Sequence, residues 1–204
     1  MEPLDNFMDR LASSSPAPGG GAASSLVAIV GTALNSMVAG LTEGKKGYEG
    51  SQKMMEHIRA RSNEIRSELR DLMVADEEAF NSIVGTWKMP RSTEEEKEAR
   101  KASIQKATKI AIKVPWRIAS LAHEVLRIGA LLVDHGNRNA ITDAGSSLEF
   151  ARAAIRAGLL NIRINLKFLT DQDLIESEEL KMKLFLEDTE EIYRNALREL
   201  RGKL

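Results

Sequence analysis

The sequence predicts an all-α fold, a single elongated antiparallel helix bundle spanning residues 1–204, and three observations carry that expectation. Apolar residues recur with the helical period of about 3.6 in almost every segment, and no run alternates as a half-buried strand would. No internal repeat, low-complexity tract or linker divides the chain. Its 204 residues suffice for one substantial core and are short for two.

The elements follow in order. Leu4, Phe7, Met8 and Leu11 stripe a short first helix beginning at Pro3. Ser14 to Ser25 then reads as a two-proline approach, a glycine elbow at Gly19-Gly20-Gly21 and the opening of a small-residue helix running to about Thr42. A charged turn, Glu43 to Tyr48, leads to one long amphipathic helix from Ser51, striped by Met55, Ile58, Ile65, Leu69, Phe80 and Trp87 and ending before Pro90. Ser92 followed by Glu95 has the spacing of a capping box and starts the next helix. Val114-Pro115 predicts a kink, because an interior proline loses a backbone hydrogen bond; the helix resumes at Pro115. His135-Gly136-Asn137 closes it with a C-terminal glycine. Asn137 to Asp143 is a polar connector into an Ala-rich helix reaching about Leu169, and Asp171 caps a final amphipathic helix.

Composition narrows the function. Hydrophobic residues make up 43% and aromatics 4%, so the core is aliphatic. The absence of cysteine excludes disulfides, thiolate zinc sites and a cysteine nucleophile. The three histidines lack ligand spacing, which leaves no expected metal site. A net charge of −1 provides no footprint for nucleic acid. No export signal opens the sequence, so a cytoplasmic location is expected. Gly21 to Leu41 lacks charge, yet its small and polar residues fit a buried central helix better than a membrane span. Ser24, Ala28, Gly31, Asn35 and Ala39 form a seam along it, suited to close approach by a neighbouring helix or by the same helix of a second subunit.

Several polar groups stand out as candidates for chemistry. The elbow precedes a helix N-terminus, whose free N–H groups and dipole favour an anion, although the glycines equally fit a tight helix entrance. Asp76 lies four residues from both Leu72 and Phe80, on an apolar helix face, where a carboxylate needs a partner or a shifted pKa. Asp143 reads either as an N-cap, a role Thr142 can also take, or as a carboxylate that a ligand can approach beside Gly145. Asn161 and Asn165 share one face and can read a heterocycle's edges or bond a neighbouring helix. Lys45 and Lys46 are either solvated or aimed at an anionic tail.

In this order, Pro16-Ala17-Pro18-Gly19-Gly20-Gly21, Gly44-Lys45-Lys46-Gly47-Tyr48, Asp76-Glu77-Glu78-Ala79-Phe80, Val114-Pro115, Gly136-Asn137, Thr142-Asp143 and Asn161-Ile162-Arg163-Ile164-Asn165-Leu166 resemble the cyclodeaminase/cyclohydrolase family of tetrahydrofolate enzymes. The resemblance spans nearly the whole chain. Thr142 stands where the family commonly has serine, and Val74 where it is often acidic. The resemblance implies an all-α dimer binding a folate substrate without a further cofactor. It assigns acid/base and electrostatic roles to Asp76 and Asp143 and pterin orientation to Asn161 and Asn165. A substrate anion would fall to Gly19, Gly20, Gly21, Lys45 and Lys46, with Asn137 and Arg163 as further substrate contacts.

Overall fold

The computed structural model describes residues 3–204, and helices occupy nearly all of them, with no strand among the described residues. The α-helices are α1 (Leu4–Leu11), α2 (Gly20–Gly40), α3 (Gln52–Trp87), α4 (Glu94–Ala111), α5 (Lys113–His135), α6 (Ile141–Leu166) and α7 (Gln172–Lys203). Short 3-10 turns at Glu49–Ser51 and Arg138–Ala140 precede α3 and α6.

Small residues put α2 at the centre, packed against α3, α5 and α6. A side chain at Gly31 would meet Ser147 O and Val125 Cγ1 at 3.4 Å. Asn35 Nδ2 donates to Val125 O at 2.9 Å, and Ser25 Oγ donates to Leu69 O at 2.7 Å. The small-residue seam is therefore consumed within the chain and does not face a second subunit. The opposite face carries the exposed apolar residues Val30, Met37 and Leu41. By length and hydropathy α2 would pass for a membrane span, but 56% of its apolar window is buried among the other helices.

Local chemistry moves two expected boundaries and gives a third a different cause. The capping box uses Thr93 and Glu96, one residue later than expected: Glu96 N donates to Thr93 Oγ1 at 3.2 Å, and Glu96 Oε2 accepts from both Ser92 N and Thr93 N. The break between α4 and α5 falls at Ile112 rather than at Val114-Pro115. Pro115 cannot donate to Ala111 O and its ring crowds that carbonyl, so the interruption appears one turn upstream. Gly136 ends α5 with φ −84°, outside the left-handed region. Its need for glycine is steric, since a Cβ would lie 2.5 Å from Leu132 O. Asp171 caps α7 as expected, accepting from Leu174 N at 3.2 Å.

Candidate active site

The elbow sets the geometry of the site. Gly19 is extended (φ −127°, ψ −158°) and Gly20 begins α2, while the left-handed glycines are Gly44 and Gly47. Gly20 and Gly21 thus serve close approach rather than a positive φ, whereas a Cβ on Gly19 would meet only Pro16 O at 3.8 Å. A Cβ on Gly21 would fall 2.1 Å from Asp76 Oδ1 and 2.4 Å from Oδ2. Only a hydrogen at this position lets the α3 carboxyl lie against the first turn of α2. There Asp76 Oδ2 accepts from Ala22 N at 3.0 Å. A carboxyl group does lie at the helix N-terminus, and it is the protein's own Asp76.

Two effects act on that carboxyl in opposite directions. Burial favours its neutral form and dominates, the Ala22 N–H favours the charged form, and neighbouring Glu77 adds a small push toward protonation. The result is a pKa raised from the ordinary aspartate value. The α6 residue Asn161 stands across the elbow, its Nδ2 placed 3.3 Å from where a Gly20 Cβ would be. That Nδ2 donates to Ala157 O at 2.8 Å, which leaves Oδ1 and the second Nδ2 hydrogen for a ligand. Gly19, Gly20, Asp76, Asn161 and Asn165 together line a cavity of about 260 Å³. A carboxyl with a raised pKa beside two amides can exchange a proton with a nitrogen or water while the amides fix a polar ring.

The other candidates lie elsewhere. Lys45 Nζ donates to Asn137 Oδ1 at 2.6 Å and sits 5.7 Å from the centroid of the Tyr48 ring. Asn137 also accepts from Asn139 N through Oδ1, donates to Leu41 O through Nδ2 and donates its backbone N–H to Thr42 Oγ1. It clamps the loop after α2 to the turn before α6. Lys46 is exposed in that loop. Asp143 is the third residue of α6, not its cap; the helix is entered from Ala140 through the 3-10 turn whose cap is Asn137. Eighteen residues separate Asp143 from Asn161 along α6, about 27 Å at 1.5 Å per residue. Asp143 and Asp76 therefore do not share a cavity within one chain. Arg163 faces α7, its Nη2 3.2 Å from Glu179 Oε2.

The cavity also contains residues that the sequence reading assigned to the core or passed over. Phe80, Ile83 and Trp87 continue the Asp76 face of α3, and Phe168 and Ala111 close the far side. The signal was their i, i+4, i+7, i+11 spacing from Asp76, which by itself is indistinguishable from a core stripe. Glu77, at the cavity edge, is ion-paired with Arg10 of α1.

Comparison with known proteins adds an independent line. A family model described as formiminotransferase-cyclodeaminase matches residues 3–183. A methenyltetrahydrofolate cyclohydrolase of Methylorubrum extorquens is 39% identical over 180 residues, covering 88% of this chain and 86% of that protein. A formimidoyltransferase-cyclodeaminase of Gallus gallus is 32% identical over 84% of this chain, which spans only 32% of that longer protein. The crystal structure of a formiminotetrahydrofolate cyclodeaminase from Thermotoga maritima matches with a TM-score of 0.83 and 30% identity, covering 100% of this chain and 96% of that one.

Proposed function

The chain belongs to the formiminotransferase-cyclodeaminase family, and we propose on that footing that it is a tetrahydrofolate one-carbon enzyme. Its activity is the cyclodeamination of 5-formiminotetrahydrofolate, the hydrolysis of 5,10-methenyltetrahydrofolate, or both. The transferase activity named in the longer relatives is not part of the proposal, since the chain spans about a third of their length. The observation that carries the reading is the half-buried Asp76 carboxyl, held on Ala22 N–H with a raised pKa and opening onto Asn161 and Asn165.

In cyclodeamination N10 attacks the formimino carbon and ammonia departs; in hydrolysis water adds to the methenyl carbon and the ring opens to the 10-formyl compound. Each route moves a proton to or from nitrogen or water, and each passes a cation that a carboxylate stabilises. Asp76 serves both needs, as proton donor or acceptor through its unbonded oxygen and as the countercharge when ionised. Asn161 and Asn165 orient the pterin. Neither reaction changes oxidation state, so the folate is substrate and no redox cofactor is required. The proposed location is the cytoplasm.

The same reading takes the bundle as elongated and antiparallel, and the protein as a homodimer. Support comes from the outer face of α2, where Ala23, Val27, Val30, Leu34, Met37 and Leu41 follow helical spacing without a charge. Antiparallel pairing of α2 with its copy would bring the partner subunit's Asp143 and Lys45 toward the elbow. That arrangement reunites the two separated ends.

The test is to incubate the protein separately with the two folates, following methenyl absorbance and released ammonia. Turnover of one or both that falls on the order of 10²-fold in Asp76→Asn supports the proposal. Inertness toward both folates, or wild-type rates in the variant, overturns it.

A further inference from the structure

Among the described residues, Asp76 and Glu77 are the only titratable side chains that line the candidate cavity. The loop before α2, the first turn of α2, α4, α6 and the turn after α6 all present uncharged residues to it. Glu77 also lines a second space, a groove of about 430 Å³ between α1, α2 and α3, so its side chain stands in the wall between the two. Leu4, Phe7, Leu26, Met73 and Val74 make much of that groove apolar. The Glu77 side chain is only 22% exposed, so its charge is screened less than one on an open surface.

The cation that answers Glu77 comes from α1. Phe7 is the buried side chain of that helix, and Arg10 follows it by three residues, on the same face. Seating Phe7 in the core thereby brings Arg10 Nη2 onto Glu77 Oε2, 67 residues away in sequence. The other charges lining the groove are Arg70 and Asp71 on α3 itself, adjacent and of opposite sign, while α2 contributes only Leu26. A carboxylate beside a second carboxyl favours the protonated form of its neighbour, and a cation on the first weakens that effect. Asp76 responds in this sense: burial is the main cause of its raised pKa, and the Glu77 charge adds to it.

We propose that Arg10 and Glu77 are positioning residues for the site: Arg10, carried on α1, holds Glu77 at the cavity edge, where the balance of their two charges governs the proton on Asp76. The inference rests on the folate reading above and adds to it what sets the pH range in which Asp76 exchanges its proton. Glu77 alone would keep Asp76 protonated to higher pH, and Arg10 withdraws part of that push. The two residues therefore act in opposite directions through one ion pair. That opposition separates a charge role from a fastening role. Substituting either residue breaks the pair and loosens α1 alike, but only the charges give effects of opposite sign.

The test follows the Asp76 carboxyl by carboxyl-carbon NMR titration of the free protein, its signal identified by its absence in Asp76→Asn. The pH profile of kcat is measured alongside, for whichever of the two folates turns over. Glu77→Gln should lower the Asp76 midpoint and Arg10→Gln should raise it, each by about half a pH unit, roughly threefold in proton affinity. Arg10→Lys keeps the charge and should leave the midpoint at its wild-type value. The limb of the kcat profile that belongs to Asp76 should move with the midpoint. Midpoints that stay fixed, or that move the same way in Glu77→Gln and Arg10→Gln, reduce the pair to a fastening of α1 and overturn the inference while the folate reading stands. A kcat profile that ignores a shifted midpoint overturns it as well. Opposite shifts in a protein inert toward both folates keep the charge device and remove the folate reading alone.

Discussion

Replacing Gly21 by alanine isolates the contact on which the site is built. The added methyl would lie 2.1 Å from Asp76 Oδ1. Ordinary contact needs more than 3 Å, so the carboxyl must retreat by roughly 1 Å, and its 3.0 Å bond from Ala22 N is lost or stretched. Overpacking costs about 1–3 kcal/mol and the unmade hydrogen bond a similar amount. The gain from removing a helical glycine, up to about 1 kcal/mol, offsets part of this. The net loss is about 2–4 kcal/mol, which for a domain of this size lowers Tm on the order of 10 °C. Displacing an acid/base group by that distance should also cost on the order of 10²-fold in turnover. In an Asp76→Ala background the obstacle is gone, and Gly21→Ala should become neutral or stabilising. Denaturant unfolding of the four proteins gives the coupling energy, expected at roughly 2–5 kcal/mol, with the destabilisation vanishing or reversing in the Asp76→Ala background. An equal destabilisation in both backgrounds would show that Gly21 is required for something other than room for Asp76.

Three further outcomes follow from the same geometry. Because burial raises the Asp76 pKa, the folded protein keeps a proton that the unfolded chain has already released; stability therefore falls as pH rises from the ordinary carboxylate value through the raised one. Asp76→Asn escapes that loss, so its Tm relative to wild type should climb between acidic and neutral pH, and a flat difference would contradict the raised pKa. Val30→Lys or Met37→Lys should shift the protein toward monomer in light scattering at unchanged helicity, whereas Gly31→Leu should lower Tm by overpacking against Ser147 and Val125; dimers surviving both lysine variants would exclude the outer face of α2. If Asp143 acts across the interface, inactive Asp76→Asn and Asp143→Asn subunits, mixed and re-associated, should recover about a quarter of wild-type turnover, since random pairing makes half of the dimers mixed and each holds one intact site. No recovery would mean that Asp143 has no role in the partner's site.

Periodicity alone determined the helices, because an amphipathic stripe declares both its element and its buried face; α3 from Gln52 to Trp87 and the Asp171 cap of α7 were legible in this way. The glycine elbow and Asp76 were also visible as anomalies, a bulk-free helix entrance and a carboxylate on an apolar face. That they answer each other was not visible, since 54 residues separate Asp76 from Ala22 and nothing local links them. Tertiary packing set an internal carboxyl, that of Asp76, on the Ala22 N–H in the first turn of α2. It also turned the small-residue seam of α2 inward, because α5 and α6 approach closely where Gly31 and Asn35 permit, leaving the larger Val30, Met37 and Leu41 outside. The separation of Asp143 from Asp76 follows from α6 being one unbroken helix, a rigid spacer whose length the sequence specified but whose two ends only the fold could place.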